Sequence, residues 1–370
     1  MIAPLHTKPL PDPHDGDVDA NADIGGPAQP LLSIRGLVKH FPLKQPMLPG
    51  RGPAPVVRAV DGVDFSVLKG ETLGVVGESG CGKSTTARLL MQLIEPTAGE
   101  VVFDGRVVGS RDLSLKEFRR QVQMVFQDSY ASLNPRLTLE DSIAFGPTVH
   151  GVSRREAMAR AHELLARVGL EPARFAGRYP HELSGGQRQR VNIARALALQ
   201  PRLLILDEAV SALDKSVEAQ VLNLLMDLKQ DFGLTYVFIS HDLHVVRYIS
   251  DRVMVMYLGQ VAEIGAAEAL FDAPAHPYTR ALLGSMPSMD PDARTSEPPL
   301  AGDPPNPINP PSGCRFHPRC ADAVPLCSQR APQPVQWQAG QASDLHRVAC
   351  LMHEPGSGHP RAAAPQEVAA

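Results

Sequence analysis

The sequence predicts an α/β fold: a P-loop nucleotide-binding core with an antiparallel β subdomain and a helical insertion, then a small cysteine-bearing C-terminal segment. Three observations predict it. The stretch Gly77-Glu78-Ser79-Gly80-Cys81-Gly82-Lys83-Ser84-Thr85 fits G-x-x-x-x-G-K-[ST] and lies between a buried-strand run, 72–76, and a helical run, 85–91. Short apolar runs that end in polar residues alternate with helical periodicity, the pattern of parallel strands covered on both faces. Proline, with 35 residues, is gathered in a few stretches that mark linkers.

Composition bounds the rest. The chain has 370 residues, enough for two or three domains, and 43% hydrophobic with 21% charged residues is an ordinary globular balance. A formal net charge of −4 offers no general attraction to nucleic acid or anionic lipid, so no nucleic-acid partner is expected. No apolar run reaches the roughly 18 residues of a membrane span. No basic segment followed by an apolar one opens the chain, so no secretion signal is expected; a cytosolic location with reduced thiols follows.

Taken in order, residues 1–30 hold few large apolar side chains and are expected to be disordered. Residues 31–38 read as the first strand, Phe41 follows it, and the Pro/Gly-rich stretch 42–55 reads as a loop. Residues 56–60 and 63–68 read as two strands with a turn at Asp61-Gly62, and Lys69-Gly70 supplies another turn. Beyond the phosphate loop, 100–103 and 106–108 read as a hairpin turning at Asp104-Gly105. Residues 122–126 form a strand that ends at Gln127. Residues from about 128 to 186 have helical character, clearest over 154–168, and read as the insertion. A helix from Leu183 to about 199, a strand at 203–206, a helix at 215–230 and strands at 235–239, 252–257 and 260–264 complete the main domain, 31–286. A proline-dense linker opens the C-terminal region, 287–353, and a tail, 354–370, is expected to be disordered.

The chemistry follows from residue types at strand ends. Glycines let the loop turn and aim backbone N–H groups inward, and the helix N-terminus adds partial positive charge, so Gly77, Glu78, Ser79, Gly80, Cys81, Gly82 and Thr85 frame a phosphate cradle. Lys83 reaches the β- and γ-phosphates, and the Ser84 hydroxyl holds Mg²⁺. Cys81 stands at a variable loop position with no expected chemistry. Asp207 and Glu208 are adjacent carboxylates at the end of an apolar strand, an expensive placement without a purpose. Asp207 suits Mg²⁺, and Glu208 suits the base that polarises the attacking water. Gln127 and His241 also end strands, and parallel strands in such a sheet point their carboxyl ends at one crevice. The run Leu183-Ser184-Gly185-Gly186-Gln187 is a second anion-binding helix start without a lysine. It makes sense if its anion belongs to a nucleotide held by another subunit.

These residues, in this order and with Ser211-Ala-Leu-Asp214 added, resemble the ATP-binding subunit of ABC transporters over about residues 31–286. The resemblance implies an ATPase that binds ATP and Mg²⁺ and forms a head-to-tail dimer with a paralogue or second copy. Each ATP would lie between the phosphate loop of one subunit and Ser184–Gln187 of the other, with Asp214 nearby. It also implies that Gln127 binds Mg²⁺ and senses the γ-phosphate, and that His241 contacts that phosphate. Phe41 matches the aromatic residue that stacks on adenine; it suits a core position equally well.

The C-terminal part narrows the family. His276-Pro-Tyr-Thr-Arg-Ala-Leu-Leu283 and Cys314-Arg-Phe-His-Pro-Arg-Cys320 are similar to the oligopeptide/dipeptide importer ATPases, and Asp207-Glu-Ala-Val-Ser-Ala-Leu-Asp214 followed by Gln220-Val-Leu-Asn-Leu-Leu225 resembles the second of their two paired types. That similarity implies peptide import across the bacterial inner membrane, powered from its cytoplasmic face. The partners would be two transmembrane permease subunits and, indirectly, a solute-binding protein. Nickel and glutathione importers share the pattern, and a soluble ABC ATPase acting on ribosomes or DNA is the non-transport alternative. Cys314, Cys320, Cys327 and Cys350 sit in a proline-rich segment poor in core residues, which suggests a metal staple. Four thiolates suit zinc or a [4Fe–4S] cluster. The C-x2-C pairs of zinc ribbons are absent, and the resemblance favours [4Fe–4S].

Overall fold

The computed structural model describes residue 26 and residues 29–43, 54–286, 302–337 and 346–362. Most of the expected N-terminal tail, most of the 42–55 loop, the linker 287–301 and residues 363–370 lie outside the described residues.

β1 (Leu32–Pro42) and β2 (Val56–Val67) pair antiparallel. β3 (Thr72–Val76) runs into the phosphate loop and α1 (Lys83–Leu90). β4 (Ala98–Phe103) and β5 (Arg106–Val107) form a hairpin, followed by α2 (Leu115–Gln121) and β6 (Val122–Val125). α3 (Leu139–Val149), α4 (Arg154–Arg167) and α5 (Pro172–Phe175) build the helical insertion, and α6 (Gly185–Leu197) returns the chain to β7 (Leu203–Asp207). Then come α7 (Lys215–Phe232), β8 (Thr235–Ile239), α8 (Leu243–Ile249), β9 (Arg252–Tyr257), β10 (Gln260–Ala266), α9 (Ala267–Asp272) and α10 (Pro277–Gly284). The C-terminal region contributes α11 (Pro325–Gln329), β11 (Val335–Gln336) and β12 (Arg347–Val348).

Two sheets result. One is antiparallel, ordered β2-β1-β4-β5; the other is ordered β11-β12-β10-β9-β3-β8-β7-β6, with a parallel centre from β9 to β6. The central strands are apolar on both faces because both are covered. Alternation along β7 is direct: Leu203 and Ile205 join the core shared with the antiparallel sheet and α1, while Leu204 and Leu206 join the core under α6, α7 and α8. The carboxyl ends of β3, β6, β7 and β8 therefore open on one edge. Among the described residues no helix is long and apolar enough to cross a membrane.

Three expectations are corrected. The two strands at 56–60 and 63–68 are one strand, because Gly62, at φ +78°, is bulged out of register between the Val38–Asp61 and Leu37–Val63 pairs and does not turn the chain. α2 stands where no helix is expected; Ser114 caps it, accepting from the Glu117 N–H at 3.2 Å. The C-terminal region adds two strands to the edge of the main sheet, β12 pairing antiparallel with β10 and β11 with β12. Residues 354–362, expected to be disordered, pack: Glu354 pairs with Arg330, the Ser357 hydroxyl donates to the Leu351 carbonyl at 2.6 Å, and His359 is buried.

Candidate nucleotide-binding site

The phosphate loop is shaped by glycines that nothing larger could replace. Gly77 has φ +149° and Gly82 φ +108°, and a Cβ on them would stand 2.2 Å from the Met256 carbonyl oxygen and 2.3 Å from that of Ala59. The loop opens into a cavity of about 460 Å³ lined by Ser79, Gly80, Gly82, Lys83, Ser84 and Thr85. Gln127, Glu208 and His241 line the same cavity from the ends of three other strands, as the parallel topology requires.

The groups are already organised. Lys83 is buried, and its ammonium donates to the carbonyls of Gly77 at 2.7 Å and Glu78 at 3.1 Å. The Ser84 hydroxyl donates to Asp207 Oδ1 at 3.0 Å, so a hydroxyl and a carboxylate oxygen are paired as a Mg²⁺ site needs. Burial raises the Asp207 carboxyl above its ordinary range; the Ser84 hydroxyl works against the rise and the Glu208 charge adds to it. A cation beside that carboxylate would relieve its desolvation. The residues present thus fit Mg²⁺ and a triphosphate.

Glu208 lies at the end of β7 with φ +49°, a left-handed backbone that a residue with a Cβ adopts only under constraint. Its N–H donates to the Ile239 carbonyl at 3.0 Å, and the Ser211 hydroxyl donates to its carbonyl at 2.9 Å, which fixes the turn. Its carboxylate oxygen Oε2 accepts from Gln127 Nε2 at 2.9 Å and lies 3.5 Å from His241 Nδ1. A water in the cavity would meet a carboxylate, an amide and an imidazole held within one network.

Ser184–Gln187 is absent from the lining of this cavity. Ser184 caps α6: its hydroxyl accepts from Gln187 N–H at 3.3 Å, while Gln187 Oε1 accepts from Ser184 N–H at 3.1 Å. Gly186 must be small, since a Cβ there would stand 2.3 Å from Val217 Cγ1 on α7. Gly185 carries no comparable clash; the atom nearest its added Cβ is Leu213 Cδ2, 3.8 Å away. Asp214 caps α7, accepting from Val217 N–H at 3.0 Å; that bond leads the lowering of its pKa. It too lies outside the cavity lining. Phe41 is part of β1, half exposed beneath Lys39 at 5.1 Å, and does not line the cavity; Val57, Ala59 and Pro307 do. Cys81 is buried, and burial raises its thiol pKa.

The four cysteines expected to share a metal line one small cavity with His276, Phe316 and His359. Among the described residues, however, no group of three or more Cys, His, Asp or Glu side chains is arranged to hold a metal ion. Burial raises the thiols of Cys314, to about 11, of Cys350, to about 12, and of Cys320. Sequence reasoning missed three contributors from the C-terminal part: Pro307 in the cleft wall, Tyr278, and Arg319, which pairs with Glu78. Tyr278 and Arg319 had a signal, their places in the His276–Leu283 and Cys314–Cys320 motifs, and Pro307 had none.

Fold and cleft together define a P-loop protein built to bind a nucleoside triphosphate with Mg²⁺. Comparisons with known proteins narrow that class. A family described as ABC transporter matches residues 60–211, and one described as the C-terminal region of oligopeptide/dipeptide transporters matches residues 262–327. A probable peptide ABC transporter ATP-binding protein of Sinorhizobium fredii is 52% identical over 88% of this chain and 91% of its own length. The dipeptide transport ATP-binding protein DppF of Escherichia coli is 49% identical over 82% of this chain and 91% of its own. A solved dimeric ATP-binding cassette in a post-hydrolysis state with ADP and Pi matches with a TM-score of 0.55 and 30% identity, over 64% of this chain and 98% of that one. The chain belongs to the ABC transporter family, among its ATP-binding subunits, and its core is an ABC-type ATPase.

Proposed function

We propose that this subunit hydrolyses ATP to power import of di- or oligopeptides across the bacterial inner membrane, through two permease subunits that it meets at the cytoplasmic face. The observation that carries the reading is a cleft that gathers the phosphate loop, the paired Ser84 and Asp207 oxygens, Glu208, Gln127 and His241 but not Ser184–Gln187. A second cassette, paralogue or copy, placed head to tail would bring that segment to the nucleotide. ATP then contacts both subunits only in the closed state, which is the differential affinity a switch requires. Relatives named for peptide and dipeptide transport support the solute class.

Proteoliposomes holding this subunit, its partner ATPase and two permeases should take up labelled dipeptide, delivered by the binding protein, only with Mg–ATP. Uptake of nickel or glutathione in its place would transfer the reading to those importers, and ATP turnover indifferent to permeases would end it. Lys83→Ala removes a buried cation from the phosphates and should weaken ATP binding by about 1.5–3 kcal/mol. Unchanged affinity in an equilibrium titration would count against the phosphate site.

We also infer that Cys314, Cys320, Cys327 and Cys350 hold a [4Fe–4S] cluster as a structural staple. Support comes from their shared cavity and from Gly313, where a Cβ would stand 2.3 Å from the Cys327 carbonyl, so two of the thiol-bearing segments are pressed together. Anaerobically purified protein should carry about four irons and four sulfides. Stoichiometric zinc, or neither metal, would remove the cluster.

A further inference from the structure

We infer that Arg319 is a positioning residue of the ATP site: it holds the Glu78 carboxylate off the phosphates and so keeps the phosphate loop in its binding shape. The inference rests on the ATP-hydrolysing reading above and deepens it.

Glu78 is a carboxylate inside a loop whose task is to attract polyanions. Left unpaired, it would repel the triphosphate across a poorly screened gap. Glu78 does not line the phosphate cavity; it lines a neighbouring one of about 420 Å³, together with Tyr257 and Pro304–Pro307. Arg319 accounts for that placement. Its Nη1 donates to Glu78 Oε2 at 2.7 Å and its Nη2 to Oε1 at 3.0 Å, a two-pronged fit that fixes direction as well as charge. The guanidinium is itself held, 5% exposed, near the Tyr257 ring. The Glu78 N–H is also taken, donating to the Tyr278 hydroxyl oxygen at 2.9 Å. Both partners come from the C-terminal part of the chain, separated from Glu78 by 200 and 241 residues.

Lys83 shows why the loop needs an external brace. Its ammonium donates to the carbonyls of Gly77 and Glu78, and a bound triphosphate competes for the same protons. When those internal ties are given up, the glycine-rich backbone is free to shift unless something else grips it. Arg319 and Tyr278 grip it from the far side, where no phosphate competes.

The test is an equilibrium titration of the full chain with Mg–ATP, alongside steady-state phosphate release. Arg319→Ala should raise the ATP Kd and KM about tenfold with kcat nearly unchanged, the signature of lost ground-state and transition-state binding alike. The loss should grow at low ionic strength, where the bared carboxylate is least screened. Arg319→Lys, which keeps the charge and the fold, should lose about threefold. Glu78→Gln placed in Arg319→Ala should recover most of the affinity, because the repelling charge is gone. An unchanged Kd in Arg319→Ala, a fall in kcat alone, or a double variant no better than the single would each overturn the inference. Lys83→Ala run beside them separates the two readings: if it loses ATP and Arg319→Ala does not, only this inference fails.

Discussion

Glu208→Gln is expected to keep ATP affinity near the wild-type value while lowering turnover by about 10² or more. The amide keeps the shape of the carboxylate and can still face Gln127 Nε2, now 2.9 Å from Glu208 Oε2. It cannot take a proton. Nothing else in the cleft replaces it: Asp207 is engaged with Ser84 at 3.0 Å, and His241 Nδ1 faces the same carboxylate oxygen. The strained backbone at φ +49° argues the same way. That strain persists because Ile239 and Ser211 over-determine the turn, and it aims the side chain into the cleft. The check is phosphate release at saturating Mg–ATP together with an equilibrium titration. A kcat within about threefold of wild type would remove Glu208 from the role of base.

The convergence of the phosphate loop, Gln127, Glu208 and His241 on one cleft was legible because each signal is local in sequence. A phosphate loop is nine consecutive residues, and Asp207, Glu208, Gln127 and His241 each follow an apolar strand that announces its own end. Parallel topology then brings four separate strand ends together without any pairwise signal being needed. Elements whose shape depends on a distant partner were harder to read. Gly62 looks like a turn; only pairing with β1 shows it as a bulge. α2 carried a readable start in Ser114-Leu-Lys-Glu117, but its short apolar face gives no period. β11 and β12 are two residues each, below any alternation, and exist because β10 offers an open edge. Arg319 and Tyr278 act on Glu78 from across the chain, so no spacing rule could find them.

The second large effect is expected from Glu263→Ala, which should destabilise the packing of the C-terminal region on the core by about 3–5 kcal/mol. Glu263 lies on β10 and is completely buried. Its Oε1 accepts from Ala275 N–H at 2.9 Å and lies 2.8 Å from His346 Nε2, while Oε2 accepts from His276 N–H at 2.9 Å. Burial alone would raise its pKa; the His346 ring and the two amides outweigh burial and hold the carboxyl below its ordinary value. A carboxylate depressed in the fold contributes stability in full above its unfolded pKa and loses it as pH falls through the folded one, so the contribution is complete at neutral pH and fades in acid. The neighbours are built around this group. Gly265 must lack a Cβ, which would stand 2.8 Å from His346 Cγ, and His276 caps α10 with Nδ1 accepting from Tyr278 N–H at 2.9 Å. Burial pushes His276 down to about 4, so the cap stays a neutral acceptor. Removing the carboxylate leaves two amides and a histidine without their acceptor, and it loosens the start of the helix whose Tyr278 holds the phosphate loop. Denaturant unfolding should show the loss, and amide exchange should place it at Ala275 and His276. A change below about 1 kcal/mol, with those amides as protected as before, would mean that the C-terminal region is held by its strand pairing and apolar contacts alone.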